Sequence, residues 1–206
     1  MNQKNLFGIL LIGFICVSFT HSTYNRVKFV YDGDTILLET AERVRYLGIN
    51  GPEMGYQGKK SEFMAIASRD YNSRLVNKKR VRLEFDQEKR DPHGRLLAYV
   101  FLEGGEMVNA LLIRHGFAHV MVKRPNLKYF SLLLNDQRVA MGEKLGIWSQ
   151  PTAKMERHYL GNIKSYRFHR PGCAFSTQIS GHNLVIFDSR LKAFWEGFSP
   201  CKRCRP

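Results

Sequence analysis

Three short stretches carry side chains that could do chemistry together: Asp32-Gly33-Asp34-Thr35, then Arg45 through Asn50-Gly51-Pro52-Glu53, then Asp91-Pro92-His93-Gly94-Arg95. They supply carboxylates, two arginines and tight glycine turns. Hydrolysis of a phosphodiester needs cations facing the non-bridging oxygens, a carboxylate to relieve water of a proton, and, where present, a divalent metal to polarise the phosphoryl oxygen. Arg45 and Arg95 suit the first task, since a guanidinium donates parallel hydrogen bonds to phosphate. Glu53 suits the second. Asp34, Asn50 and the Gly51 carbonyl offer hard oxygen ligands of the kind Ca2+ takes. Each residue also has a plainer reading: Asp-Gly as hairpin punctuation, Arg45 with Glu53 as a surface pair, Arg95 as the partner of Asp91. It is the three together, in this order, that favour a phosphodiesterase.

A second set lies near the end of the chain. His169 and Cys173 are four apart, and Cys201 and Cys204 are three apart. Two close pairs of borderline or soft ligands suit tetrahedral Zn2+. The competing reading is a Cys201–Cys204 disulfide with Cys173 free.

The elements that must position these residues are legible in outline. Apolar Val27, Phe29, Ile36, Leu38, Val44 and Leu47 predict short strands, as do segments 81–85 and 96–102. Helical spacing of Phe63, Ile66, Ala67, Tyr71 and Leu75 predicts a helix over 61–75, with further helices over 107–115 and 127–145, ended by Gly116 and Gly146. Strands followed by helices describe an α+β domain on a small barrel of the OB type. The expected division is 24–150 for that domain and 157–206 for a small metal-stabilised module, joined by a linker over 151–156. Aromatic Tyr166, Phe168, Phe187, Phe194, Trp195 and Phe198 are expected to form the core of the module.

The chain has 206 residues and a formal net charge of +14, which points to a polyanionic partner, with nucleic acid ahead of a membrane surface. Lys59, Lys60, Lys78, Lys79, Arg80 and Arg82 read singly as solvated surface. Residues 1–22 contain an apolar run from Leu6 to Phe19, too short for a comfortable membrane span and suited to a secretory signal, with an uncleaved anchor as the alternative. Phe14-Ile15 before Cys16 argue against a lipoprotein site. Secretion or a periplasmic location is therefore expected, without a stable membrane partner unless the segment persists. Its removal leaves three cysteines, which cannot all pair within one chain.

Residues from about Val27 to Trp148 resemble the staphylococcal nuclease family, through Tyr31-Asp32-Gly33-Asp34-Thr35, Val44 to Glu53, Asp91 to Val100, and Gly146-Ile147-Trp148-Ser149. The resemblance implies a five-stranded OB-fold and Ca2+-dependent endonuclease activity on DNA and RNA. It also implies catalytic roles for Arg45, Glu53 and Arg95, with metal held by Asp34, residue 50 and the carbonyl of residue 51. That family most often has Asp and Thr where this chain has Asn50 and Gly51, so weaker Ca2+ binding is expected. Tyrosines of the family pattern are replaced by Met121 and Lys123, which leaves Lys123 and Arg124 as expected phosphate contacts. Residues 197–204 resemble the metal-binding module of Ada-type DNA-repair proteins. That module has four cysteine ligands, one a methyl acceptor; His169 replaces the first here, so structural zinc is carried over and methyl transfer is not. The competing function is a non-catalytic nucleic-acid-binding OB protein with a degenerate metal site. A monomer is the default expectation.

Overall fold

A computed structural model describes residues 23–150 and 156–206. The segment read as a signal and most of the expected linker lie outside the described residues.

The turn at Tyr31–Asp34 folds strand β1 (Tyr24–Val30) antiparallel onto β2 (Thr35–Leu38), which pairs with β3 (Arg43–Tyr46). After a two-residue strand, β4 (Ile49–Asn50), helix α1 (Ala65–Val76) leads to β5 (Arg80–Glu84) and β6 (Leu96–Leu102). β6 runs parallel to β3 and antiparallel to β5, and β5 pairs with β1, so the order β1-β2-β3-β6-β5 closes into a barrel. The expected α+β class with an OB-type five-stranded barrel is what the chain forms. Leu97 to Phe101 are all buried because β6 has the barrel on one side and α2 (Val108–Arg114) on the other.

Two expectations about facing fail. Strict alternation from Val27 would bury Phe29, yet Phe29 is 52% exposed and stacks edge-on with Tyr31 at 5.1 Å. An irregularity between Val27 and Phe29 shifts the register, so Val27 and Val30 face inward. Helix α1 has the expected period but not the expected phase. It begins after Met64, whose φ of 65° precludes an earlier start, and it buries Ala65, Ser68, Asn72 and Val76 while Phe63 and Ile66 are exposed. The polar positions are inside because they brace the first charged turn. Asn72 Nδ2 donates to the Asp32 carbonyl at 3.0 Å and its Oδ1 accepts from Tyr46 Oη at 3.0 Å. Ser68 Oγ donates to the Phe117 carbonyl at 2.8 Å. A Cβ on Gly33 would sit 1.9 Å from Ser68 Oγ, so helix and turn meet only because residue 33 is glycine.

β7 (His119–Val120) pairs with β4, setting His119 opposite Asn50. Helix α3 (Phe130–Gly142) follows, then a 3-10 turn over Gly146–Ser149. Gly116 and Gly146, both at positive φ, lie back to back: a Cβ on either would fall within 2.2 Å of the other strand of backbone, and Ile147 N donates to the Gly116 carbonyl at 2.8 Å.

The C-terminal module is a four-stranded sheet ordered β10 (Leu184–Phe187), β8 (Tyr159–Asn162), β9 (Arg167–His169), β11 (Ser199–Pro200), with α4 (Arg190–Trp195) against it. Its core is Tyr159, Phe168, Phe187, Ala193, Phe194 and Phe198. Trp195, expected inside, is 40% exposed, with Arg138 over its ring. The module is seated on α3. Gln137, fully buried, accepts from Val120 N at 2.6 Å and donates to the Phe194 carbonyl at 2.5 Å, while Arg138 Nε donates to the Trp195 carbonyl at 3.0 Å. Phe194 also meets the rings of His119 and Trp148 at 5.3 and 5.0 Å. Among the described residues no helix is long and apolar enough to cross a membrane.

Candidate functional site

The turn Asp32-Gly33 presents Asp34 at the mouth of the barrel, where β3 and β4 bring Arg45, Asn50 and Gly51. Asp34 and Arg45 are 6% and 8% exposed and form an ion pair. Asp34 Oδ2 accepts from Gly51 N at 2.5 Å, Oδ1 accepts from Thr35 Oγ1 at 3.1 Å, and Arg45 Nη2 donates to Asn50 Oδ1 at 3.0 Å. The Cα of Gly51 approaches Gly33 so closely that a Cβ would come within 3.3 Å of the Gly33 Cα. Arg45 is thus a buried partner of Asp34 and not a surface partner of Glu53. Asp32 stands behind Asp34; burial, and then the Asp34 charge, push its carboxyl up to about 7.

Asn50 is more constrained than its sequence suggests. The ring of His119 is buried, and that burial brings it down to about 4, so it is neutral at ordinary pH. Its Nδ1 lies 2.9 Å from the Val120 carbonyl, which fixes the proton there and leaves Nε2 as an acceptor. Asn50 Nδ2 lies 3.4 Å from that Nε2 and donates to the Gly51 carbonyl at 3.1 Å. A chain of hydrogen bonds therefore runs from Val120 through His119 and Asn50 to Arg45. No single-residue signal marked His119 for this place.

Glu53 lies beyond Pro52, exposed, on the rim of the cleft that Asn50 and Gly51 also line. Its loop is held by paired contacts with Glu62, and Lys202 of the module reaches its carboxylate at 3.4 Å. Arg95 follows Gly94 at φ 77°, and its Nε donates to Asp91 Oδ2 at 2.7 Å, a pair that orients the guanidinium. The turn pairing of Arg95 with Asp91 expected of an ordinary loop is thus present. Lys123 pairs with Glu88 at 3.8 Å, and Arg124 lies 5.5 Å from the Tyr166 ring of the module.

Asp34, Asp32 and the Gly51 carbonyl are hard oxygen donors of the type Ca2+ accepts, and they fit such an ion by chemistry. Asn50 turns its oxygen toward Arg45, so ligation through it requires its amide to turn over at the expense of its bonds to His119 and Gly51.

In the module, one ligand atom from each of His169, Cys173, Cys201 and Cys204 lies within 4.8 Å of the other three. Bonds of about 2.3 Å to sulfur and about 2.0 Å to nitrogen gather such a set around one tetrahedral Zn2+. The three cysteines are unbridged, so the Cys201–Cys204 disulfide alternative is not formed. Arg170 N donates to Cys204 Sγ at 3.4 Å, an outer contact of the kind that steadies a thiolate ligand.

A five-stranded barrel with a charged cluster at its mouth, followed by a module whose His/Cys3 cluster suits Zn2+, defines a two-part protein. Residues 43–150 match the family of staphylococcal nuclease homologues, and residues 147–206 match the metal-binding domain of Ada. The chain belongs to the staphylococcal nuclease family. It is 38% identical over 127 residues to a thermonuclease of Staphylococcus intermedius, covering 60% of this chain and 75% of that one. It is 36% identical over 138 residues to endonuclease YncB of Bacillus subtilis (strain 168), covering 65% of each. A third relative, the SPbeta prophage-derived endonuclease YokF of the same organism, is 37% identical over 138 residues, which span 65% of this chain and 46% of YokF.

Proposed function

We propose that this protein is an exported, Ca2+-dependent endonuclease that hydrolyses phosphodiester bonds of DNA and RNA, with a zinc-stabilised C-terminal module. The observation that carries the reading is the Asp34–Arg45–Asn50–Gly51 cluster, buried at the barrel mouth beside an exposed Glu53. Burying an arginine against one aspartate is costly in a protein that needs only stability, and it is useful where a cation must be held rigid for a developing negative charge.

Arg45, fixed by Asp34 and Asn50, offers its guanidinium to the non-bridging oxygens of the scissile phosphate. Glu53, in water and on a loop tied to Glu62, takes a proton from the attacking water. Arg95, oriented by Asp91, is the second clamp on the same phosphate. Lys123 and Arg124 would contact the strand further along. Ca2+ held by Asp34 and the Gly51 carbonyl would supply Lewis-acid polarisation of the phosphoryl oxygen, with residue 50 joining the ligands only when its amide turns its oxygen away from Arg45. The high positive charge of the chain would draw polyanions to the cleft and make binding strongly salt-dependent.

The test is digestion of DNA and RNA by the full chain with Ca2+ and with a chelator, beside Glu53→Gln, Arg95→Ala and Asn50→Asp. Activity should require Ca2+ and fall by about 10²–10⁴ in each of the first two variants. Asn50→Asp should lower the Ca2+ concentration for half-maximal activity; an unchanged value removes residue 50 from the ligand set. Equal persistence of substrate in every sample would identify a binding protein instead.

A further inference from the structure

Among the described residues, Trp148 Nε1 and Arg190 Nε are buried side-chain donors without a hydrogen-bond acceptor. Buried donors are normally satisfied, so a bare one marks a place for an acceptor. The two meet in one place. Trp148 and Arg190 line a cleft of about 490 Å³ between the barrel and the module, and Asn50, the partner of Arg45, lines it too.

The module side of this cleft is cationic beyond what the protein compensates. Arg167 of β9 and Arg190 at the start of α4 face it, and neither forms an ion pair among the described residues. Arg167 Nη1 donates only to the Pro200 carbonyl at 3.3 Å, and Arg190 lies 5.3 Å from the Phe194 ring. Both arginines are partly buried without an ion pair, a position that an anion from outside would compensate. The side-chain carboxylates on the cleft, Glu53 and Glu62, sit on the opposite loop, where Lys202 meets Glu53; Pro206 also lines the cleft, and its terminal carboxyl forms no ion pair with Arg167 or Arg190.

We propose that this cleft is a second phosphate subsite, in which Arg167 and Arg190 of the module, with Trp148 Nε1, bind a phosphate of the strand next to the one held at Arg45. It rests on the nuclease reading for the identity of the strand. The geometry favours phosphate over a simple carboxylate, because donors approach from two walls and a tetrahedral anion presents acceptors to both. The module would then be part of the substrate site and not merely an appendage. Its cation Lys202 stands between two metal ligands, Cys201 and Cys204, so the metal cluster would also set that side of the cleft.

Two measurements on the full zinc-loaded chain test this. In a Trp195→Phe background, inorganic phosphate in Ca2+-free buffer should alter the emission of Trp148, and Arg167→Gln/Arg190→Gln should weaken the apparent Kd at least about tenfold, with Arg190→Lys intermediate. Zinc content of one per chain in each variant shows that the module is still formed. Separately, a dinucleoside monophosphate bearing an added terminal phosphate should be cut with about tenfold higher kcat/KM than one without, and the double variant should bring that ratio to near one. An unresponsive Trp148, an unchanged Kd, or a ratio preserved in the double variant overturns the subsite. Phosphate binding at Trp148 in a chain that cuts no nucleic acid would instead overturn the nuclease reading and leave the subsite standing.

Discussion

The barrel and the C-terminal module hold their functional residues by different means. Twenty-two buried apolar residues form one continuous core in the barrel, and Asp34 and Arg45 are fixed at its edge by packing and a dense set of hydrogen bonds. The module has six buried core residues, below what a free-standing unit of its size usually needs, and its last strand is two residues long. Its rigidity must come from the four-ligand cluster and from its seat on α3. The comparison teaches that the charged groups of the barrel tolerate loss of metal as structure, whereas those of the module do not.

The largest effect should therefore come from zinc removal. Binding at a structural Zn2+ site is worth about 10–16 kcal/mol and is folding energy. Chelation, or Cys201→Ser, should make residues beyond 150 sensitive to limited proteolysis while a barrel-sized fragment survives. A module that stays resistant without metal would erase the distinction. A smaller effect should follow from Gln137→Ala, which leaves Val120 N and the Phe194 carbonyl without their buried partner at the seam. The expected cost is about 1–3 kcal/mol, read in denaturant unfolding as separation of one transition into two. A single unshifted transition would mean that the seam is held by aromatic contact alone.

The smallest effect concerns the barrel by itself. Burial raises the Glu84 carboxyl, but hydrogen bonds from Lys128, Tyr129 and Arg82 outweigh that and bring it to about 2. Because the folded value lies below the unfolded one, its stabilisation is present above about pH 4.5 and fades as pH falls toward 2. Glu84→Gln should lower stability at neutral pH by about 1 kcal/mol, with the gap from the wild type closing across that acid range. A gap that persists at pH 2 would show that Glu84 acts by packing.

Much of this was legible before any coordinates. Turn residues and ligand spacings are local signals, so the charged turns, the His169/Cys173/Cys201/Cys204 set and the β5–β6 strands could be read directly. Facing was harder. Nothing in the composition of β1 reveals the irregularity that turns Phe29 outward, and in α1 Tyr71 and Leu75 pack on the core as their spacing suggested whereas Phe63 and Ile66 do not. Ser68 and Asn72 are inside because of distant acceptors at Phe117 and Asp32, which no window of sequence contains. His119 gave no signal for the same reason. Arg167 and Arg190 looked like any other arginines, since their lack of an ion pair among the described residues is a property of the fold alone.

The back-to-back glycines at 116 and 146 bear on how this architecture can be reused. The chain leaves the barrel through a joint whose closeness admits no side chain on either partner, and the first turn of the exit is bonded to the barrel's own backbone. The direction in which the chain leaves the barrel is thus set by the barrel's own backbone. Transplanting the module onto a related barrel would therefore require both glycines to travel with it, together with Gln137 and Arg138 of α3, which seat it.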